Sequence, residues 1–159
     1  MASDYLLELD GVKGESKDDA HKETIEIASW SLGASNPTSV GSAGMSAGKV
    51  SFSDLNVMIS LEKASVELLN RVCTGKVIKK ATLYGRKAGD DKRQDYLKVT
   101  LQEVMVSSWQ TSASDGSGIP MLSVSFAFSK IEYVYKVQNE DQTLGDDLLT
   151  TYDLKAAKK

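Results

Sequence analysis

Apolar and polar residues alternate along most of this chain, and the alternation changes phase within four separate runs. A period of two residues indicates a β-strand with one buried face. A change of phase moves the buried side chains to the other face, because the strand bends or an extra residue forms a bulge. The halves of the four runs are 25–27 and 30–32, 50–52 and 55–59, 97–101 and 104–106, and 122–128 and 131–137. Small closed barrels need such corners, and so do strands whose two ends face different neighbours.

One segment has helical instead of alternating periodicity. Residues 65–75 place an apolar stripe on one side of a helix. Ser65 is the expected N-cap and Ser60 is a second candidate, while Gly75 can adopt the left-handed conformation that ends a helix. The stripe consists of Leu68, Leu69, Val72 and Cys73. The pattern therefore predicts a mainly β fold, a barrel or a sandwich, with one short helix packed against it.

Two segments lack this patterning. Residues 35–48 are small, flexible and nearly uncharged, which predicts a long exposed loop, and loops of this length often carry function. The segment 138–159 is polar and predicts a C-terminal tail, either mobile or docking on a neighbour. We therefore expect one domain over residues 1–137, followed by this tail.

Composition excludes several classes of protein. The 159 residues carry a formal net charge of −3, whereas nucleic-acid binders usually carry a strong basic stripe. The single cysteine excludes an internal disulfide and is compatible with a reducing cytosol. The N-terminus lacks the basic and apolar regions of a signal peptide, and no apolar stretch approaches the roughly 20 residues that span a bilayer.

Candidate chemistry is sparse. A Ser-His-Asp arrangement would have to use His21, the only histidine, and the alternative is a solvated loop histidine. Cys73, on the apolar stripe, is expected to be a small buried hydrophobe and not a nucleophile. One histidine and one cysteine leave no tetrahedral zinc set, and no cofactor is expected. Strand aromatics could form a ligand platform, or could serve the core and subunit contacts; they are Trp30, Trp109, Tyr133 and Tyr135.

Several short segments, each weak alone, follow one another in a specific order. They are the loop Gly11 to Asp18, the strand end Trp30-Ser31-Leu32-Gly33, the small-residue loop with Gly48-Lys49-Val50, the helix from Ser65, Arg86-Lys87-Ala88-Gly89, and Tyr96-Leu97 leading to Val104-Met105-Val106-Ser107-Ser108. In this order the chain, from about Tyr5 to Tyr135, resembles the haemolysin-coregulated protein (Hcp) family, the tube proteins of the type VI secretion system. Leu32 departs from the aromatic residue of many relatives, and the tail beyond Gln138 matches no family pattern.

The resemblance implies a compact β-barrel of two sheets with one helix and one extended loop. It further implies a homohexameric ring without enzymatic activity. Rings would stack into a tube that assembles in the cytoplasm inside a contractile sheath, together with a spike. Sheath contraction would then secrete the tube without a signal peptide, with small effector proteins carried in the lumen. Nucleic-acid binding and membrane insertion are not expected.

The same resemblance suggests two kinds of functional residue. A lumen should be lined by small polar side chains, and the candidates are Ser29 and Ser31 on one strand and Ser123 and Ser125, with Ser129, on another. The alternative for these serines is an ordinary solvent-exposed sheet face. Ring contacts are expected in the extended loop, at Pro37, Val40 and Met45, and within 85–89, at Gly85, Arg86 and Lys87.

Two other functions stay open at this point. One is a ligand-binding barrel that works alone, which would need an apolar interior cavity. The other is a small hydrolase that uses a serine, His21 and an aspartate.

Overall fold

The computed structural model describes residues 3–87, 94–116, 118–140 and 144–158. The strands before the helix are β1 (Ser3–Leu9), β2 (Ile25–Ile27), β3 (Ser29–Ser31), β4 (Ala34–Ser35), β5 (Thr38–Gly41), β6 (Gly44–Ala47), β7 (Ser51–Phe52) and β8 (Leu55–Ser60). The helix α1 (Lys63–Thr74) precedes β9 (Ile78–Lys87), β10 (Gln94–Ser112), β11 (Met121–Ala127), β12 (Lys130–Gln138) and β13 (Leu144–Asp153). The predicted mainly β fold with one short helix is confirmed.

The long strand β10 joins two sheets, which we call sheet A and sheet B. Sheet A has the order β2-β1-β9-β10-β12-β13, and it uses the first half of β10. Sheet B has the order β10-β11-β8-β3, and it uses the second half of β10. All of these pairings are antiparallel, and the two sheets enclose one apolar core.

The core follows from the alternation along each strand. In β8, Leu55, Val57 and Ile59 are buried while the three residues between and after them are exposed. In strand β11, Leu122, Val124 and Phe126 are fully buried and the residues that alternate with them are half-buried. The helix closes one side of the core with Leu68, and the indole Nε1 of Trp109 donates a hydrogen bond of 3.1 Å to the Ser65 carbonyl.

The phase changes along the sequence coincide with changes of sheet. The chain leaves sheet A for sheet B between β2 and β3, and returns to sheet A between β11 and β12. Between β7 and β8 it enters sheet B from the small β4–β7 sheet. In β10 the strand itself turns the corner, and Glu103 adopts a left-handed φ of 52° at that point. A change of sheet reverses which face is buried, and this is why alternation shifts by one residue at each site.

The two sheets do not close into a complete hydrogen-bonded barrel. The path of paired strands begins at β2 and ends at β3, and among the described residues these two strands form no ladder with each other. The covalent link through Ala28, whose backbone N–H donates to the Met58 carbonyl at 2.8 Å, holds this seam together. The expectation of a barrel is therefore correct for the two-sheet, β-rich architecture but not for full closure.

The helix begins earlier than the sequence pattern suggested. Its N-cap is Glu62, and Ser65 lies three residues later, where its hydroxyl accepts a hydrogen bond of 3.0 Å from the Glu62 backbone N–H. Ser65 and Ser60 are therefore not the N-cap, because the serine serves the reciprocal half of a capping box. Gly75 ends the helix with a φ of 67°, as predicted.

The C-terminal segment, expected to be mobile or to dock on a neighbour, contains a long strand. β13 pairs with β12 over most of its length, with Tyr135 opposite Leu148 and Ile131 opposite Tyr152. Past β13, the Leu154 backbone N–H donates to the Ser129 carbonyl at 2.8 Å. The β-branched Thr150 and Thr151 and the aromatic Tyr152 favour a strand, a preference that the polar start of this segment conceals. The proposed domain boundary at residue 137 stays a prediction.

The glycines of the N-terminal loop have a structural explanation. Gly11 has a φ of 81°, which an L-residue rarely adopts. A Cβ atom on Gly14 would lie 2.3 Å from the Thr24 carbonyl oxygen, so the loop can fold against residues 23–24 only with glycine there. The motif that carries the family resemblance at this end of the chain is thus a requirement of loop packing.

Candidate functional site

The four serines predicted to face a lumen lie together on the outer face of sheet B. In one row across the sheet, Ser31 lies opposite Asn56 and Asn56 lies opposite Ser125. In the next row, Ser29 lies opposite Met58 and Met58 lies opposite Ser123. Strands far apart in sequence therefore bring the serines to a single surface. Ser129, the fifth candidate, lies at the β11–β12 corner and donates to Glu103 Oε2 at 2.7 Å.

This surface, which we call the serine face, is uncharged across its three central rows. In the chain as a whole, 26% of the residues are charged. Its members are Ser29, Ser31, Asn56, Met58, Ser60, Ser108, Gln110, Ser112, Met121, Ser123 and Ser125. Most of its side chains carry a hydroxyl or an amide group, and the Ser125 hydroxyl donates a hydrogen bond to Asn56 Oδ1. A wet, uncharged sheet face is suited to neighbouring a passage, because it offers no fixed charge that would hold a passing molecule.

Sequence reasoning missed most of this face. Asn56, Ser108 and Gln110 occupy outward positions between the serines. The alternation in residues 55–60 marked Asn56 as outward-facing, but only strand register could place it beside Ser31 and Ser125. The bulge in β10 between Val106 and Ser108 made Ser108 unpredictable, because it shifts the register by one residue.

The predicted extended loop is a two-tiered hairpin, which we call the arm (residues 34–52). At its root, the Ser53 backbone N–H donates to the Gly33 carbonyl at 2.8 Å, and β4 pairs with β7. Further out, the Gly48 N–H donates to the Pro37 carbonyl at 2.8 Å and β5 pairs with β6. Val40 and Met45 lie opposite each other near the tip, with 78% and 75% of their surface exposed. The three arm candidates thus lie on one projecting element.

The second group of ring-contact candidates is mostly internal. Gly85 is buried, and a Cβ there would lie 3.0 Å from Leu97 Cβ. Arg86 is only 5% exposed, and its ion-pair partners Asp18 and Asp95 belong to the same chain. Burial therefore weighs against direct ring contacts by either residue, while Lys87 is exposed and its Nζ lies 5.2 Å from the centroid of the Tyr96 ring. Ala88 and Gly89 lie outside the described residues.

A charged network that sequence reasoning missed surrounds Arg86. Its guanidinium contacts Asp18 Oδ2 at 2.6 Å and Asp95 Oδ1 at 3.3 Å. Asp95 also contacts His21 Nε2 at 2.9 Å, and the His21 ring stacks on Tyr84 with centroids 3.9 Å apart. Desolvation would raise the pKa of Asp18, but hydrogen bonds from Arg86 and from two backbone N–H groups outweigh it and lower that pKa below 3.8. The network fastens the N-terminal loop to sheet A.

The charged network around Arg86 has a structural role. His21 is not a solvated loop histidine, because its imidazole is largely buried between Tyr84 and Asp95. Cys73 is exposed, contrary to the expectation of a buried residue, because the helix turns it away from the core. Within the described ranges, no group of three or more His, Cys, Asp or Glu residues is placed to hold a metal ion. No helix in the same part of the chain is long and apolar enough to cross a membrane.

Comparisons with known proteins agree on one family. The family described as "Type VI secretion system effector, Hcp" matches residues 6–135. Protein hcp1 of Pseudomonas aeruginosa is 37% identical over 142 residues, which cover 89% of this chain and 88% of that protein. A solved type six secretion system protein superimposes with a TM-score of 0.93 at 30% identity, covering 99% of both chains. Hcp1 from Salmonella typhimurium gives a TM-score of 0.83 at 34% identity, also over 99% of both chains.

Proposed function

Because this chain belongs to the Hcp family of the type VI secretion system, we propose that it forms hexameric rings that stack into the inner tube of the secretion machine. Members of this family are secreted structural proteins of that system. In the proposed arrangement the rings assemble in the cytoplasm within a contractile sheath, behind a spike. Contraction of the sheath expels them, and small effector proteins travel in the lumen.

The single observation that carries this proposal is the serine face. Its eleven side chains come from four strands and form one mostly polar, uncharged surface on a chain in which 26% of the residues are charged. A surface of this kind is expected where a protein borders a passage that must stay wet without retaining its contents. The stacking of rings is supported by Val40 and Met45, the exposed apolar pair at the tip of the arm. Projecting apolar residues favour a contact with another ring.

Electron microscopy of a labelled protein tests the proposal. In a Cys73→Ala background, Ser31→Cys is coupled to a maleimide-linked gold cluster, and a separate Val66→Cys variant is labelled in the same way. Val66 lies on the exposed side of α1 and serves as the matched control. We expect six-fold annuli with an open centre, gold at the centre for Ser31→Cys, and gold elsewhere for Val66→Cys.

Two results would contradict the proposal in different ways. A wild-type protein that remains monomeric at high micromolar concentration would exclude the ring. Rings that carry the Ser31 label on their outer rim would keep the assembly but exclude the serine face from the lumen.

A further inference from the structure

Sheet A extends beyond the part of the molecule that sheet B covers. Directly paired residues of neighbouring strands point to the same face. On the inner face of sheet A, Val99 is fully buried, but Tyr133 opposite it is 38% exposed. Tyr135, opposite the buried Leu97, is 39% exposed, and Leu148 on the next strand is 58% exposed. The face that forms the core therefore continues outward as an apolar surface without a cover within this protomer.

A cation lies beside these aromatic residues. Lys87 Nζ donates to Gln138 Oε1 at 2.8 Å and sits over the ring of Tyr96. Tyr96 in turn packs edge-to-face against Tyr135, with ring centroids 6.4 Å apart. We call this surface the aromatic edge; it comprises Lys87, Tyr96, Tyr133, Tyr135, Val137 and Leu148. It combines exposed apolar area with one positive charge.

The opposite end of sheet A carries the complementary features. Next to β2, a cavity of about 380 Å³ is lined by three carboxylates, from Glu15, Glu26 and Glu62. Apolar residues border it, and Ile119 and Leu61 are 65% and 43% exposed. We call this surface the acidic edge; it comprises Glu15, Glu26, Glu62, Leu61 and Ile119.

The acidic edge brings three carboxylates together at the start of α1. Burial raises the pKa of Glu62 and the charges of Glu15 and Glu26 raise it further, while hydrogen bonds from two backbone N–H groups lower it without cancelling the rise. A positive charge brought to this cavity would relieve the repulsion among the three carboxylates. The aromatic edge offers such a charge together with apolar side chains that can cover Leu61 and Ile119.

We propose that the aromatic edge of one copy of this chain docks on the acidic edge of a second copy. Leu148 on β13 and Glu26 on β2 lie at opposite ends of the six-stranded sheet A, five strand spacings or about 24 Å apart, while Lys87 lies on β9, two spacings from β2. Two different, complementary surfaces on opposite sides of a subunit give a head-to-tail contact, and such a contact generates a closed ring when the rotation between copies is suitable. This inference rests on the proposed function, because it names the seam between the subunits of the proposed ring.

A mixing experiment tests the pairing of the two edges. Leu148→Asp damages only the aromatic edge, and Ile119→Asp damages only the acidic edge. Both positions are exposed, so neither change disturbs the core, and circular dichroism checks the fold. We expect each variant alone to lose the ring and to elute with a mass of 17.2 kDa by size-exclusion chromatography with light scattering. Because each variant keeps one intact edge, an equimolar mixture should form dimers but no rings.

Charge reversal provides a second experiment, and an exposed residue of the helix provides its control. Lys87→Glu and Glu26→Lys should each weaken the ring, and the double variant should restore it at least in part. Val66→Asp, which introduces the same charge at an exposed apolar position outside both edges, should leave the ring intact.

The outcomes separate this inference from the proposed function. If wild-type rings form and both Leu148→Asp and Ile119→Asp still form them, the two edges are not the seam, although the ring stands. If both variants become monomers but their mixture gives no dimer, the edges do not pair with each other. A monomeric wild-type protein would remove the proposed ring itself.

Discussion

At the scale of single residues, the Asp18–Arg86 ion pair fastens the N-terminal loop to the sheet. Arg86 is almost completely buried, and the Asp18 side chain is only 17% exposed. Asp18 Oδ1 also accepts hydrogen bonds from the backbone N–H groups of Ala20 and His21, at 3.0 and 3.1 Å. Removing Asp18 would leave Asp95 in contact with the buried Arg86 guanidinium at 3.3 Å, but it would take away the shorter ion pair, and losing a partner of a buried charge costs more than losing an exposed pair.

The lowered pKa of Asp18 predicts a loss of stability in acid. The folded-state pKa lies below the reference of 3.8, so the ionised carboxylate stabilises the fold above the unfolded pKa, and this contribution is lost as pH falls through the folded pKa. We expect Asp18→Asn to lower the free energy of unfolding at pH 7 by about 2 kcal/mol. Its stability should also decline less than that of the wild type below about pH 4.

Urea unfolding at fixed protein concentration, followed by circular dichroism across this pH range, measures both effects. Asp10→Asn removes an exposed carboxylate nearby and is the control; it should follow the wild type. An Asp18→Asn variant as stable as the wild type at pH 7 would show that the ion pair does not hold the loop.

At the scale of elements, the corner in β10 depends on one residue with an unusual backbone conformation. Glu103 has a φ of 52°, between the half of β10 in sheet A and the half in sheet B. Its carboxylate is exposed and is held by Lys155 Nζ at 2.5 Å and Ser129 Oγ at 2.7 Å. The left-handed region is unfavourable for all residues with a Cβ and most unfavourable for β-branched ones.

In a strand, a valine variant is usually more stable than a glycine variant, and this backbone conformation reverses that order of stability. We expect Glu103→Val to be less stable than Glu103→Gly by about 1–2 kcal/mol, since glycine adopts this φ without strain. Neighbouring Gln102 is exposed in the ordinary part of the strand, so Gln102→Val should be more stable than Gln102→Gly. Thermal unfolding of the four variants measures both differences. The same order at both positions would mean that the corner does not require a left-handed residue.

The elements also show what sequence can and cannot determine. Alternation located most strands, and its changes of phase marked the places where the chain changes sheet. It could not distinguish a strand that bends, as at Glu103, from two strands separated by a link, as at Ala28, because both shift the buried face by one residue. The serines of β3 and β11 were predicted to share a function, but their meeting on one face depends on the register through Asn56 and Met58. The burial of Arg86 could not be predicted, because sequence does not show that Asp18 and Asp95 both contact it.

At the scale of the whole molecule, the chain forms a compact body with one projecting element. Residues 33–49 are all exposed, and the arm returns to the body at Phe52. There the Phe52 ring packs against Phe128 and Tyr152, with centroids 5.9 and 5.8 Å apart. If rings stack through the arm, its apolar tip should matter for stacking and not for forming the ring.

We therefore expect the double variant Val40→Ser, Met45→Ser to form rings but to lose most of its stacking, because it removes the apolar contact at the tip. Sedimentation of stacked tubes, with electron microscopy of the supernatant, separates the two levels of assembly. Val66→Ser, at a residue as exposed as Met45 but on the helix, is the control and should stack normally. Unchanged stacking by the double variant would exclude the tip of the arm as the contact.

The hydrogen bonds at Gly33 and Ser53 have a consequence for how such proteins can diversify. They close the arm at its base, so its exposed part, residues 34–49, joins the rest of the polypeptide at two neighbouring points, while Phe52 at the root packs against the body. Evolution, or an engineer, can exchange this segment as an independent cassette, lengthening it or altering its tip while the host scaffold folds as before. A change confined to the arm would thus alter which assemblies stack on one another and leave the contacts within each assembly unchanged.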